Sequence, residues 1–129
     1  MLLFGHPHIP SEKLYHVNSI KAIESTPANS CLLFSFDEQV YELVEYANTN
    51  MLIFALDVTN LKEAILAENL NSKYLLCQEQ IVNSIQKAAD TYVFDAKVLV
   101  HIKDEEGIEA FANEGVDGVI FSEAIIKIS

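Results

Sequence analysis

The chain has 129 residues, half of them apolar, with 19 acidic residues, 8 lysines and no arginine. The resulting net charge of -11 argues against nucleic acid or an anionic membrane as a direct partner, because both bind proteins through cations that neutralise phosphate. The length fits one globular domain, and no apolar run approaches the roughly 20 residues that span a bilayer.

The first 30 residues differ from the rest of the chain. They hold all three prolines and three of the four histidines, and we interpret them as an N-terminal arm packed on a domain of residues 31–129. Leu2-Leu3-Phe4 predicts an extra strand, and the stretch from Ser19 to Ile23 predicts a short helical turn. The N-terminus has no basic segment of the signal-peptide type, so we expect a soluble, cytoplasmic protein.

From residue 31 onward one unit recurs: an apolar β run, a polar turn and an amphipathic helix. The β runs are spaced by about 20 to 24 residues and begin near Cys31, Met51, Tyr74, Val98 and Gly118. They are uniformly apolar, as strands buried on both faces of a parallel sheet should be. The pattern predicts an α/β fold with any ligand at the carboxyl ends of the strands.

Local signals mark where the helices begin and end. Asn60, followed three residues later by Glu63, predicts a capping box, and Asp104 is placed to cap a later helix. Gly115 fits the left-handed position that follows a helix. The two cysteines, Cys31 and Cys77, lie inside apolar runs, and we expect them to be buried and reduced.

The order and spacing of elements from Leu32 to Ala124 resemble the receiver domains of response regulators. The stretch VLVHIKDEEGIEAFANEGVDGVIFSEAI is similar to the fourth strand, fourth helix and fifth strand of that family. The resemblance implies a flavodoxin-like, five-stranded, mainly parallel sheet, with Asp37 and Glu38 where receivers hold Mg²⁺. Cys77-Gln78 stands where the family has its phosphorylated aspartate and Ser122-Glu123 where it has a lysine, so we expect no phosphorylation.

A second resemblance is to one half of a (β/α)₈ barrel, which gives an alternative fold. The stretch GVDGVIFSEAI is similar to the last strands of such barrels, where a glycine and a serine help to hold a phosphate. Here Ser122 replaces that glycine and Glu123 replaces that serine. Glu123 opposes an anion, so we do not expect phosphate binding.

Polar residues follow several of the predicted strands and are candidates for chemistry. Asp57, His101, Asp37 and Glu123 are the catalytic candidates, because carboxylates and an imidazole at one edge can perform general acid–base catalysis. The alternative is structural: Asp37, Thr59 and Asp104 could cap helices, and His101 could be a hydrogen-bonded core histidine.

A metal site is a further possibility that the histidines raise. His6-Pro7-His8 has the HxH spacing of some metal-dependent hydrolases, and His6, His8, Asp57 and His101 form the candidate ligand set. The sequence has no Walker, GxGxxG, GxSxG, CxxC or HExxH motif, and we expect no cofactor.

These observations leave two functional interpretations. The first is a non-catalytic interaction or regulatory module that forms a homodimer through Ile125, Ile126 and Ile128, because too few residues follow the last strand to make a covering helix. The alternative is a small enzyme or ligand-binding protein, with or without a metal ion, that has an acidic and histidine-containing rim at the carboxyl ends of the strands.

Overall fold

A computed structural model describes residues 1–128. The helices are α1 (Ile20–Glu24), α2 (Val40–Thr49), α3 (Leu61–Asn69), α4 (Val82–Thr91) and α5 (Glu106–Asn113), with a 3₁₀ turn at Ser122–Ala124. The strands are β1 (Leu2–Phe4), β2 (Leu14–His16), β3 (Cys31–Ser35), β4 (Ile53–Asp57), β5 (Tyr74–Cys77), β6 (Lys97–His101), β7 (Gly118–Ile120) and β8 (Ile125–Lys127). The α/β class is therefore confirmed.

The strands form one sheet in the order β1-β7-β6-β5-β4-β3-β2-β8, and every pair is parallel. The five predicted strands are present as β3 to β7, but the prediction of a five-stranded sheet is wrong because the sheet has eight strands. The flavodoxin-like arrangement is also wrong, since that order is 2-1-3-4-5 whereas β3 to β7 are neighbours in sequence order. The curled parallel sheet matches the half-barrel alternative.

Residues 1–30 contribute to the same sheet as the rest of the chain. The predicted extra strand is β1, which pairs with β7, and the predicted helical turn is α1, whose N-cap is Ser19. β2 pairs with β3 on one side and with β8 on the other. The sequence did not predict β2 or β8.

The convex face of the sheet is covered by helices and forms the outer core. Its strand residues alternate along each strand with residues of the concave face, and Phe34 and Phe54 stack with ring centroids 5.7 Å apart. The helices contribute their apolar stripes, including Val44, Ile85 and Phe111. These stripes match the predicted helical pattern.

The concave face forms a separate inner core that contains no residue from an α-helix. Its members come from β1 to β7 and from the 3₁₀ turn: Phe4, Leu14, Cys31, Leu33, Ala55, Tyr74, Leu76, Leu99, Ile120 and Ala124. The rings of Phe4 and Tyr74 are 5.2 Å apart, although their strands are three positions apart in the sheet, which is about 14 Å in a flat sheet. The sheet is therefore strongly curled.

Two features of the segment that follows β1 fit it against the curled sheet. The Tyr74 hydroxyl donates a 2.5 Å hydrogen bond to Glu12 Oε1, which links the β1–β2 segment to the middle of the sheet. Gly5 has a φ of +87°, and a Cβ at this position would lie 3.0 Å from the backbone nitrogen of Ala124. A glycine is thus needed where β1 meets the link between β7 and β8.

No helix within residues 1–128 is long and apolar enough to cross a membrane. The longest helices, α2 and α4, have ten residues each.

Candidate functional site

Four strands end in a half-buried polar residue on the concave side of the sheet. These are His16 in β2, Ser35 in β3, Asp57 in β4 and His101 in β6, and we call this group the mouth. Each residue lies two positions after an inner-core residue, so the alternation of side chains along a strand places it on the same face. The mouth is the partly exposed, polar upper layer of an apolar interior.

Asp57 and His101 are bonded to one another across the mouth. Their Oδ2 and Nε2 atoms are 3.2 Å apart, and both side chains are largely buried, with exposed fractions of 31% and 20%. β4 and β6 are separated by β5, which is about 10 Å in a flat sheet, so the curl of the sheet makes this contact possible. In the neutral imidazole the carboxylate accepts from Nε2–H, which leaves Nδ1 with a lone pair.

His16 and Ser35 form the second pair of the mouth. His16 Nε2 and Ser35 Oγ are 3.0 Å apart, and Ser35 lies opposite Asp57 in the register of β3 and β4. Burial lowers the pKa of His16 below its ordinary value, and the negative charge of Asp57 opposes this effect. His16 is consequently neutral at pH 7.

Two cavities adjoin the mouth. The first has a volume of about 680 Å³ and includes His101, and the second has a volume of about 470 Å³ and includes Ser35 and Asp57. Gln78 and Gln80 line both cavities. Both volumes lie in the range of small-molecule sites.

The larger cavity is acidic. Glu79, Asp104 and Glu123 line it together with a single cation, Lys103. Such a lining attracts cationic or neutral polar groups and repels phosphates and carboxylates. Glu123 is engaged locally as well, because its carboxylate accepts a 3.0 Å hydrogen bond from the Ser122 hydroxyl.

The other acidic candidates are helix-start residues. Asp37 accepts from the backbone N–H of Gln39 at 3.0 Å, and Asp104 accepts from that of Glu106 at 3.1 Å. The N-caps of α2 and α5 are Gln39 and Glu105, and neither helix has a side-chain cap bond, so the two carboxylates support the turns before the helices and are not the predicted caps.

The predicted N-cap of α3 is confirmed, and the reciprocal bond of the capping box goes to Thr59 in place of Asn60. Asn60 Oδ1 accepts from the Glu63 N–H at 2.8 Å. The Glu63 carboxylate in turn accepts from both the N–H and the hydroxyl of Thr59. Thr59 therefore stabilises the start of α3 and is not a member of the mouth.

His6 and His8 lie on the segment between β1 and β2, apart from the mouth pairs. His6 Nε2 is 3.0 Å from Glu105 Oε2, and His6 Nδ1 accepts from the His8 backbone N–H at 3.1 Å. Of the four predicted metal ligands, the structure bonds only Asp57 to His101. Among residues 1–128 no three histidine, cysteine or carboxylate side chains are grouped as metal ligands, and metal binding stays a prediction.

The cysteines are buried and free, as predicted. Burial raises the pKa of Cys77 to about 12, and burial raises the pKa of Cys31 to about 12 as well. Neither thiol is therefore a nucleophile at neutral pH.

Sequence reasoning missed His16 and Ser35. Ser35 lies within the apolar run that begins at Cys31, and its position two residues after Leu33 was the available signal. His16 gave no comparable signal, because β2 has only three residues and lies in the segment that we interpreted as an arm.

A third cavity of about 430 Å³ lies at the opposite end of the strands and includes Ile23, Pro27, Leu52 and Ile53. Glu24 is the one carboxylate in its lining, which also contains Tyr46 and several neutral polar side chains. This lining contains no histidine and therefore no carboxylate–imidazole pair of the kind found in the mouth.

No protein-family model and no curated protein sequence matches this chain.

Proposed function

We propose that the protein is a small enzyme or ligand-binding protein whose site is the mouth, with His101 as a general base oriented by Asp57. The observation that carries this proposal is the 3.2 Å contact between Asp57 Oδ2 and His101 Nε2. A carboxylate that binds one imidazole nitrogen fixes the tautomer and leaves the other nitrogen as the proton acceptor.

The surroundings of this pair support the proposal. An apolar floor that includes Leu33, Ala55 and Leu76 lies below a small number of polar groups, which is the usual composition of a ligand site. Parallel sheets also bind their ligands at the carboxyl ends of the strands. The acidic lining of the larger cavity favours an amine or a neutral polar ligand over a phosphate ester.

A ligand-observed NMR screen of small amines, alcohols, carboxylic acids and phosphate esters tests this function. We expect amines and alcohols to bind and to shift the amide signals of Gln78, His101 and Ser122. Asp57→Asn and His101→Gln should each weaken binding by about tenfold, because each removes a charge-assisted hydrogen bond.

Glu24→Gln is the matched control, since it makes the same kind of change in the cavity at the opposite end of the strands. It should leave binding unchanged. Compounds that bind Asp57→Asn as tightly as the wild type, or that shift the signals of Ile23 and Leu52 instead, would contradict the proposal. Failure of every compound class to bind would contradict it too.

The homodimeric interaction module is the second candidate function. One observation favours it: Ile126, on the edge strand β8, has 37% of its surface exposed. Ile125 packs against the inner core and Ile128 against the outer core, so Ile126 is the residue of this segment on which a dimer contact depends.

A further inference from the structure

We propose that Ser35 is the nucleophile of an acyl-transfer reaction and that His16 is its general base, which makes the mouth an esterase site. This inference rests on the proposed function for the location of the site and adds the reaction and the substrate class. It starts from the 3.0 Å contact between Ser35 Oγ and His16 Nε2. A hydroxyl bonded to an imidazole is the arrangement that activates a serine.

The state of His16 suits this role. Burial lowers the pKa of His16, so its imidazole is neutral and can accept the serine proton at pH 7. The carboxylate of Asp57, opposite Ser35 on β4, favours the imidazolium that forms when the proton arrives, whereas Lys127, opposite His16 on β8, disfavours it. Both Ser35 and His16 are partly exposed, so a substrate can reach them.

Ser35 is distinguished from the other hydroxyls and thiols near the strand ends. Within residues 1–128 it is the one hydroxyl that is hydrogen-bonded to an imidazole. Ser122 is bonded to the Glu123 carboxylate, and Thr59 to that of Glu63. Cys77 is fully buried on the convex side.

The two cavities indicate the class of substrate. The cavity beside Ser35 includes the apolar side chains of Phe36, Val58 and Ile81, which suit a short apolar acyl group. The acidic cavity beside His101 suits a polar or cationic alcohol as the leaving group. The site therefore fits an ester that joins an apolar acid to an amino alcohol or another polar alcohol.

Gln78 and Gln80 are exposed residues that line both cavities of the mouth, and they are the candidate donors to the negative charge of the reaction. Side-chain amides of this kind can donate to the oxyanion of a tetrahedral intermediate.

The reaction has two balanced halves. Ser35 Oγ forms a bond to the carbonyl carbon while its proton passes to His16 Nε2, and the bond to the leaving alcohol then breaks as the alcohol oxygen takes that proton. Water attacks the acyl-serine in the same way. The acyl–oxygen bond breaks, the carboxylic acid leaves and the Ser35 hydroxyl is restored.

Labelling with an alkyl fluorophosphonate tests the inference. Ser35 Oγ should attack phosphorus, fluoride should leave, and mass spectrometry of the digested protein should find the phosphonate on Ser35. His16→Gln should slow labelling at least about 100-fold, because it removes the general base. Ser35→Ala should abolish it, whereas the control Ser25→Ala, which changes an exposed serine that lines neither cavity of the mouth, should label like the wild type.

A gain of reactivity gives a second, independent readout. In Ser35→Cys the new thiol lies beside His16, and we expect it to react with iodoacetamide at least about tenfold faster than the thiol of Ser122→Cys. Equal rates in folded variants, no label on wild-type Ser35, or a label on Ser122 would each overturn the inference.

The outcomes separate this inference from the proposed function. If small amines bind the mouth but Ser35 is not labelled, the proposed function is supported and the role of Ser35 as a nucleophile is disproved. If Ser35 is labelled but Asp57→Asn does not change ligand binding, the role of the Asp57–His101 pair is disproved. The role of Ser35 as a nucleophile is then supported.

Discussion

At the scale of single residues, the sequence identified half of the mouth. Asp57 and His101 were predicted candidates because each ends an apolar run, and the structure bonds them directly. His16 and Ser35 were not predicted. Ser35 is a small polar residue that many strands carry without any function, and only its contact with His16 distinguishes it.

Val93 is a residue whose backbone is strained. Its φ is 52°, a region in which a β-branched residue is an outlier, and its side chain is 81% exposed. Val93→Gly should raise the free energy of unfolding by about 0.5–1 kcal/mol, since it relieves strain and loses no buried surface. Urea titration measures this change.

Asn71→Gly is the control for Val93, because Asn71 has a φ of 74° and asparagine tolerates this region. It should change the stability little. A Val93→Gly variant that is less stable than the wild type would show that Val93 is not strained.

His16 should make the stability of the protein depend on pH. Burial lowers its pKa from 6.5 in the folded protein. As the pH falls, His16 therefore binds a proton at a higher pH in the unfolded chain than in the folded one. The contribution of His16 to the free energy of unfolding is therefore constant above about pH 6.5, and it is lost as the pH falls through the pKa of the folded state. His16→Gln should flatten the stability profile between about pH 7 and pH 5.

Urea titrations of the wild type and of His16→Gln over this range measure the difference. His8→Gln is the control, because His8 is exposed. A His16→Gln profile as steep as that of the wild type would contradict the assignment of this pH dependence to His16.

At the scale of elements, helix ends were predicted better than short strands. The four helices from α2 to α5 each end in a residue with positive φ two positions after the last helical residue: Met51, Asn71, Val93 and Gly115. Only Gly115 was predicted; Asn71 is of a type that also occurs at this position, whereas Met51 and Val93 gave no signal. β2 and β8 have three residues each, which is too short for a hydrophobic period to be recognised.

The capping box of α3 should contribute measurably to stability. Asn60 accepts from the Glu63 N–H at 2.8 Å, so Asn60→Ala leaves a helix donor without its partner. We expect a loss of about 1 kcal/mol in the free energy of unfolding, measured by urea titration. Asn83→Ala, inside α4 with no comparable bond, is the control, and an equal loss in both variants would contradict the prediction.

At the scale of the whole molecule, the sequence predicted the class and not the topology. Apolar runs that alternate with helices predict a parallel sheet, but they do not determine the order of the strands or the curl of the sheet. The order depends on pairings between distant segments, such as β1 with β7 and β2 with β8. The mouth could not be predicted completely because it exists only when the sheet curls.

A homodimer remains a prediction at this scale. Ile126 is 37% exposed on the edge strand β8, and Ile126→Glu should convert a dimer at micromolar concentration into a monomer, as measured by light scattering. Leu61→Glu is a matched control, since Leu61 is 39% exposed on α3. A wild-type protein that stays monomeric on concentration would disprove the dimer.

The proposed function depends on the bond between Asp57 and His101, and imidazole ¹⁵N NMR reports on this bond through the tautomer of His101. At about pH 8.5, above the ordinary histidine range, His101 should be the Nε2–H tautomer in the wild type and in the control Asp104→Asn. Asp57→Asn should shift the tautomer equilibrium, because the acceptor carboxylate is lost. If His101 is protonated on Nδ1 in the wild type, or if Asp57→Asn does not change its tautomer, Asp57 does not orient His101 as we propose.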